Sequence, residues 1–246
     1  MSRFFVQNSA ITDGSAAIIG ADAYHIARSL RMAVGEKITV CDEDRNEYLC
    51  ELTRIRDDEV TARILSLKTN DTELPCRVRL YQSLAKGEKM DYIIQKAVEL
   101  GADTIVPVAS ARCILKLDRK GAEQKCARWQ KIAEQAAKQS GRGVVPRVLM
   151  PASFSEALSD ASAACSRSFF CYEGEGTKPL KTYLSAGVEP GAVIGVFIGP
   201  EGGYEPSEFS SAVTAGLLPT GLGKRILRCE TASGFFLSCL IYQIEL

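Results

Sequence analysis

Two short segments of this chain carry residues able to do chemistry: Gly199-Pro200-Glu201-Gly202-Gly203, and Leu222 to Ala232 with Arg225, Arg228 and Glu230. The glycine segment directly follows the apolar, β-rich run Ala192–Ile198, which reads as a buried parallel strand. Ligands of open α/β sheets bind just past the carboxyl ends of such strands, and glycines there let backbone approach a ligand closely. In the second segment, guanidinium groups and a carboxylate stand immediately before an apolar helix. That pattern suits stabilisation of developing negative charge by a fixed cation, with a carboxylate to take a proton or orient the cation. The plainer reading is a surface ion pair, with Glu230 favoured by the helix macrodipole. Phosphate chemistry fits poorly, because Glu201 would repel a phosphate. The Walker spacing around Gly223 and Lys224 fails at Leu218 and Arg225. Gly174-Glu175-Gly176 begins like a dinucleotide fingerprint, but Pro179 takes the third glycine position.

Composition limits the partners. The 246 residues carry 30 Lys and Arg against 30 Asp and Glu, so any surface for a polyanion must be local. With 46% hydrophobic residues the chain has ample core for one large domain or two smaller ones. Nine scattered cysteines without a C-x-x-C pair, and His25 as the single histidine, argue against zinc and for reduced thiols. No apolar run approaches membrane-spanning length and the start does not read as a signal peptide, so a cytoplasmic protein is expected.

Basic charge is concentrated between Ala111 and Val148. Ten Lys and Arg residues, among them Arg112 and Lys116, face three acids there. At about 100° per residue, Arg128, Lys131, Gln135, Lys138 and Arg142 share one helical face, with Trp129, Ile132, Ala133, Ala136 and Ser140 on another. One reading is a solvated helix face and the other is a stripe that contacts phosphates.

The elements that must position these residues fall into two patterns. Lys37–Val40, Glu47–Leu52 and Glu59–Ile64 alternate polar and apolar residues and predict a small β-barrel or sandwich, with a helical piece at Tyr24–Leu30. Residues 1–70 form that domain, 71–76 a linker ending near Pro75, and 77–246 the remainder. In the remainder, strands at Val78–Gln82, Thr104–Val108, Phe169–Tyr172 and up to Ile198 alternate with helices. Those helices run through Met90–Val98 (closed by Gly101), around Trp129, over Pro206–Ala215, and from Ala232 onward. This alternation predicts a mostly parallel α/β sheet.

The segments GPEGG and LGKRILRCETA, with Gln95–Gly101 and Arg128–Arg142, resemble the bacterial small-subunit (16S) ribosomal RNA uridine-N3 methyltransferases of the SPOUT superfamily. The resemblance covers nearly the whole chain and is strongest after residue 75. Lys224 stands where relatives usually have proline, and Cys229 where they usually have threonine. The resemblance implies a carboxy-terminal trefoil knot, a PUA-like amino-terminal barrel, and S-adenosylmethionine as methyl donor with no metal. It implies that Ile198, Gly199, Pro200, Glu201, Gly202, Gly203, Leu218, Leu222, Gly223, Ile226 and Leu227 hold that cofactor. Ile226 and Leu227 read equally as core. Arg228 and Glu230 would be catalytic. Arg112, Lys116, Arg128, Lys131, Lys138, Arg142 and Arg225 would contact RNA. A homodimer is implied, to which the last helix, with Phe235, Phe236 and Leu240, could contribute, although core packing explains those residues equally well. The alternatives are a related enzyme acting on another RNA base and a non-catalytic RNA-binding assembly factor.

Overall fold

The structure is a computed structural model that describes residues 1–246. The chain forms two compact units: Met1–Glu73 with Ala137–Val145, and Leu74–Ala136 with Pro146–Leu246.

The first unit is built on six strands: β1 (Arg3–Phe5), β2 (Ile11–Thr12), β3 (Ser15–Ile19), β4 (Lys37–Cys41), β5 (Asn46–Ile55) and β6 (Glu59–Thr69). They lie in the order β1-β4-β5-β6-β3-β2, antiparallel except for β1 against β4. Alternation buries one face: Ile38, Val40, Tyr48, Cys50, Leu52, Val60 and Ala62 meet Phe4, Ile18 and Ile26 in one core. Register shifts at Leu49/Cys50 and Leu52/Arg54 bend the long β5–β6 pair, as bulges do. The expected helical piece is α1 (Ala21–Tyr24), continued by a π-type turn over His25–Ser29.

The stretch expected as a linker is tied down. Asn70 is buried and donates to Glu47 Oε2 at 2.9 Å, while Thr72 Oγ1 donates to Asn70 Oδ1 at 2.7 Å. Glu73 accepts from Arg142 Nη2 at 2.6 Å and from Gly143 N at 2.9 Å.

The second unit contains β7 (Arg77–Ser83), α2 (Lys89–Glu99), β8 (Thr104–Ala109), α3 (Arg119–Ser140, whose last turn groups with the first unit), β9 (Arg147–Val148), β10 (Ala152–Ser153) and α4 (Phe154–Ala164). After these come β11 (Arg167–Cys171), β12 (Lys178–Pro179), α5 (Leu180–Leu184), β13 (Val193–Ile198), α6 (Pro206–Thr214), β14 (Leu218–Gly221) and α7 (Cys229–Glu245). Its sheet is parallel throughout, in the order β10-β8-β7-β13-β11-β14-β12, with β9 on β8. All six residues of the central β13 are buried, as its uninterrupted apolar run predicts. On one face Phe197 stacks on Tyr81 at 4.3 Å between ring centroids, and Tyr204 packs on Phe170 at 4.3 Å. Gly101 closes α2 in the left-handed region at φ +80°, with Gly101 N bonded to Val98 O and Ala102 N to Ala97 O.

Candidate active site

Past the carboxyl end of β13 the chain turns through Gly199–Gly203, a turn closed by Gly203 N donating to Pro200 O at 3.0 Å. Neighbouring loops on the same sheet edge hold this turn in place. Lys86 N, from the loop after β7, and Lys89 Nζ, at the start of α2, each donate to Glu201 Oε1 at 3.1 Å. From the loop after β8, Arg112 Nη1 donates to the Gly202 carbonyl at 2.9 Å. Ala111 N donates to Glu208 Oε1 at 2.9 Å, and Glu208 takes Glu205 N on its other oxygen at 2.9 Å, capping α6. Gly203 sits at φ +68°, a conformation that favours glycine, and a Cβ there would displace the Glu173 carboxylate, 2.5 Å away.

An open cleft with a cavity volume of about 140 Å³ lies between this turn, the loop after β11 and the segment that leads into α7. Ile198, Gly199, Pro200 and Gly203 line it from the first expected motif. Leu222, Gly223, Ile226 and Leu227 line it from the second. Three of the residues expected to hold a cofactor do not line it. Glu201 faces Lys86 and Lys89, Gly202 is engaged by Arg112, and Leu218 sits in β14, paired with Phe169. The cleft gains Cys171, Tyr172, Glu173 and Thr177 from the end of β11, together with Gly221, Lys224, Arg225, Cys229 and Ala232. The sequence held a usable signal for Cys171–Glu173, since they end a strand that reads as parallel and lies beside β13.

Backbone dominates the glycine rim, Leu222, Leu227 and an 84% exposed Ile226 give apolar surface, and Glu173 with Lys224 and Arg225 supply charges of both signs. Those features suit a ligand with an aromatic plane and a zwitterionic, cation-bearing tail. S-adenosylmethionine has that chemistry.

Arg228 caps α7 with extended backbone (φ −63°, ψ 153°), and its side chain is exposed without an ion-pair partner. Glu230 follows in the first turn, where the macrodipole favours an anion. Cys229 Sγ donates to Glu230 Oε2 at 3.2 Å, and Lys89 Nζ lies 3.8 Å from the same oxygen. Burial pushes the Glu230 carboxyl up, but its own backbone N–H, the Cys229 thiol, Lys89 and Arg228 outweigh burial and hold it below the usual carboxylate range. The Cys229 thiol is pushed up to about 12, first by burial and then by the adjacent Glu230, so it stays protonated and donating. Nothing in the sequence pattern pointed to Lys89 or to its contact with Glu230.

The expected RNA-contacting residues divide. Lys116, Lys131 and Arg225 are exposed and make no ion pair. Arg128 is half-exposed but pairs with Asp91, which also accepts from the buried Trp129 Nε1 at 3.1 Å. Arg112 is exposed and holds Gly202. Lys138 pairs with Asp22 at 2.7 Å and retains 13% side-chain exposure. Arg142 is a correction: it is 3% exposed, its guanidinium forks onto Glu73, and it has no surface to offer a phosphate. Of the cations on this stripe, Lys131 is exposed and unpaired, whereas Arg128, Lys138 and Arg142 each meet a carboxylate. In α7, Phe236 and Leu240 are fully buried, the core packing that was the equal alternative to a dimer contact, while Phe235 is 43% exposed.

Comparison with known proteins agrees over both units. The family model described as an RNA methyltransferase domain matches residues 72–241, and one described as an RNA methyltransferase PUA domain matches residues 18–65. The chain is 35% identical to the ribosomal RNA small subunit methyltransferase E of Bacillus subtilis, covering 100% of this chain and 98% of that protein. It is 30% identical to the protein of the same name from Synechocystis, over 94% of this chain and 74% of that one. It is also similar to the crystal structure of a ribosomal RNA small subunit methyltransferase E from Neisseria gonorrhoeae bound to S-adenosyl methionine. That likeness has a TM-score of 0.83 and 32% identity, over 98% of this chain and 97% of that one. No helix is long and apolar enough to cross a membrane.

Proposed function

This chain belongs to the ribosomal RNA small subunit methyltransferase E family, and on that premise we propose that it methylates N3 of a uridine in small-subunit (16S) ribosomal RNA, using S-adenosylmethionine. The observation that carries the reading is the convergence of the Gly199–Gly203 turn and the Leu222–Leu227 segment on one cleft, with Arg228 immediately after it.

S-adenosylmethionine, when bound, supplies a methyl group made electrophilic by its sulfonium. The chain's own residues supply the rest. Ile198, Leu222, Ile226 and Leu227 would hold the donor's apolar and aromatic part, backbone at Gly199, Gly203 and Gly223 would meet its polar groups, and Glu173 would complement its positive charge. Uracil N3 carries a proton between two carbonyls and attacks poorly until that proton leaves. The resulting charge spreads over O2 and O4, and Arg228, exposed and unpaired at the N-cap of α7, stabilises it. Glu230 is a weak base, since its carboxyl is held below the usual range. It makes no ion pair with Arg228 here, and its role is to attract and orient the guanidinium once the uridine is bound. N3 lies on the Watson–Crick edge, so the target uridine is unpaired or flipped. Lys116, Lys131 and Arg225, with the exposed part of Arg128, contact phosphates, and the PUA-like unit adds RNA surface.

Homodimerisation through the exposed face of α7, including Phe235, and knotted threading of the carboxy-terminal chain belong to the same proposal. So does a cytoplasmic location, with which nine free cysteines agree. Isothermal calorimetry with S-adenosylmethionine, followed by transfer of a labelled methyl group to small-subunit RNA, tests the reading. Binding and transfer are expected, whereas binding of RNA without the cofactor would favour a pure assembly factor.

A further inference from the structure

Lys89 is the first residue of α2, where the positive end of the helix dipole disfavours a cation, and no side chain caps that helix. Something outside the helix must compensate. Its ammonium lies 3.1 Å from Glu201 Oε1 in the Gly199–Gly203 turn and 3.8 Å from Glu230 Oε2 at the start of α7. The two carboxylates come from different walls of the site, and their side chains retain only 26% and 19% exposure. Without a cation between them they would repel each other and part.

Other groups around Glu230 do not replace this one. Arg228 and Cys229 are its neighbours in the chain, and the Cys229 thiol is neutral. Across the shallow groove beside Glu230, Tyr92 is uncharged and Lys96 is bound to Glu99 at 2.7 Å. Lys89 is the cation within ion-pair reach of Glu230, and it also anchors the cofactor turn.

We propose that Lys89 is a positioning residue: its ammonium locks the cofactor turn to the start of the catalytic helix and keeps Glu230 anionic beside Arg228. The inference rests on the methyltransferase reading for its purpose, but its physical content is independent of that reading. Burial raises the Glu201 carboxyl, yet its backbone N–H, Lys89 and Lys86 N draw it below the usual range, as expected for a carboxylate held by this cation.

The test uses the full chain with carbon-13-labelled glutamate, titrated by NMR in wild type, Lys89→Met and Lys89→Arg. Glu201→Gln and Glu230→Gln identify the two signals. In Lys89→Met both titration midpoints move to higher pH, and affinity for S-adenosylmethionine measured by calorimetry falls about threefold to tenfold. Lys89→Arg keeps both properties near wild type. Midpoints unmoved in a folded Lys89→Met protein, or an arginine variant that behaves like the methionine one, would overturn the inference. A wild type that takes up no S-adenosylmethionine would sink the functional reading instead, and the titrations would still decide whether Lys89 joins the two carboxylates.

Discussion

The cleft beside β13 and the basic face of α3 both gather residues chosen by spacing, but they hold them by different physics. In the cleft, position is set by backbone: a fully buried strand ends, a glycine turn is tied by three neighbouring donors, and side chains follow. On α3, position is set by helical phase alone, and each cation meets whatever lies opposite. Asp91 takes Arg128 and Asp22 takes Lys138; just past the helix, Glu73 takes Arg142, and Lys131 stays free. Spacing along one helix fixes direction, but it leaves open whether a charge is available. A ligand-sized gap at a sheet edge depends less on such pairing, because its shape comes from the fold.

Breaking the Arg142 pair gives the largest effect on stability. Both side chains are about 95% buried, so Arg142→Ala leaves a buried carboxylate unpaired and costs about 3–5 kcal/mol. Urea denaturation measures it, and the double variant with Glu73→Gln should recover part of the loss. An effect on RNA affinity without loss of stability would restore Arg142 to the phosphate-contacting set. Next comes Arg228→Ala in the cleft region, expected to lower turnover about 10²–10³-fold while S-adenosylmethionine affinity stays within about twofold. Single-turnover kinetics and calorimetry separate the two. Gly203→Ala imposes a left-handed strain and a contact on Glu173, so cofactor affinity should fall about tenfold with a stability cost near 1 kcal/mol. The smallest change is Lys131→Ala, which should weaken RNA binding about twofold to threefold and lower the salt slope by about one. The same mutation at Lys138 should do less, because its ammonium is already paired. Across about pH 6–8 turnover should show no acid limb from Glu230, since a depressed carboxyl is ionised throughout that window.

Much of this was legible from residues. The unbroken Val193–Ile198 run gave a central parallel strand, and Met90–Val98 with Gly101 gave a helix and its cap. The buried face around Trp129 came from periodicity, with Trp129, Ala133 and Ala136 buried as expected. Other elements left weak signals. β14 is four residues, Leu218-Pro219-Thr220-Gly221, in which proline and glycine mask a strand that pairing with β11 creates. α4 opens with a Ser153/Glu156 capping box, a sequence signature that its short, alanine-rich body obscured. The ionic tie from Lys89 to Glu201 and Glu230 joins residues more than a hundred positions apart, and no local pattern encodes it. The burial of Arg142 was hidden for the same reason.

Nucleoside mass spectrometry of small-subunit RNA treated with the purified protein and S-adenosylmethionine tests the central claim most directly. The account predicts 3-methyluridine at one site, formed by wild type and lost with Arg228→Ala although the donor still binds. A methyl group on a different base or on ribose, or undiminished 3-methyluridine from the Arg228 variant, would contradict it.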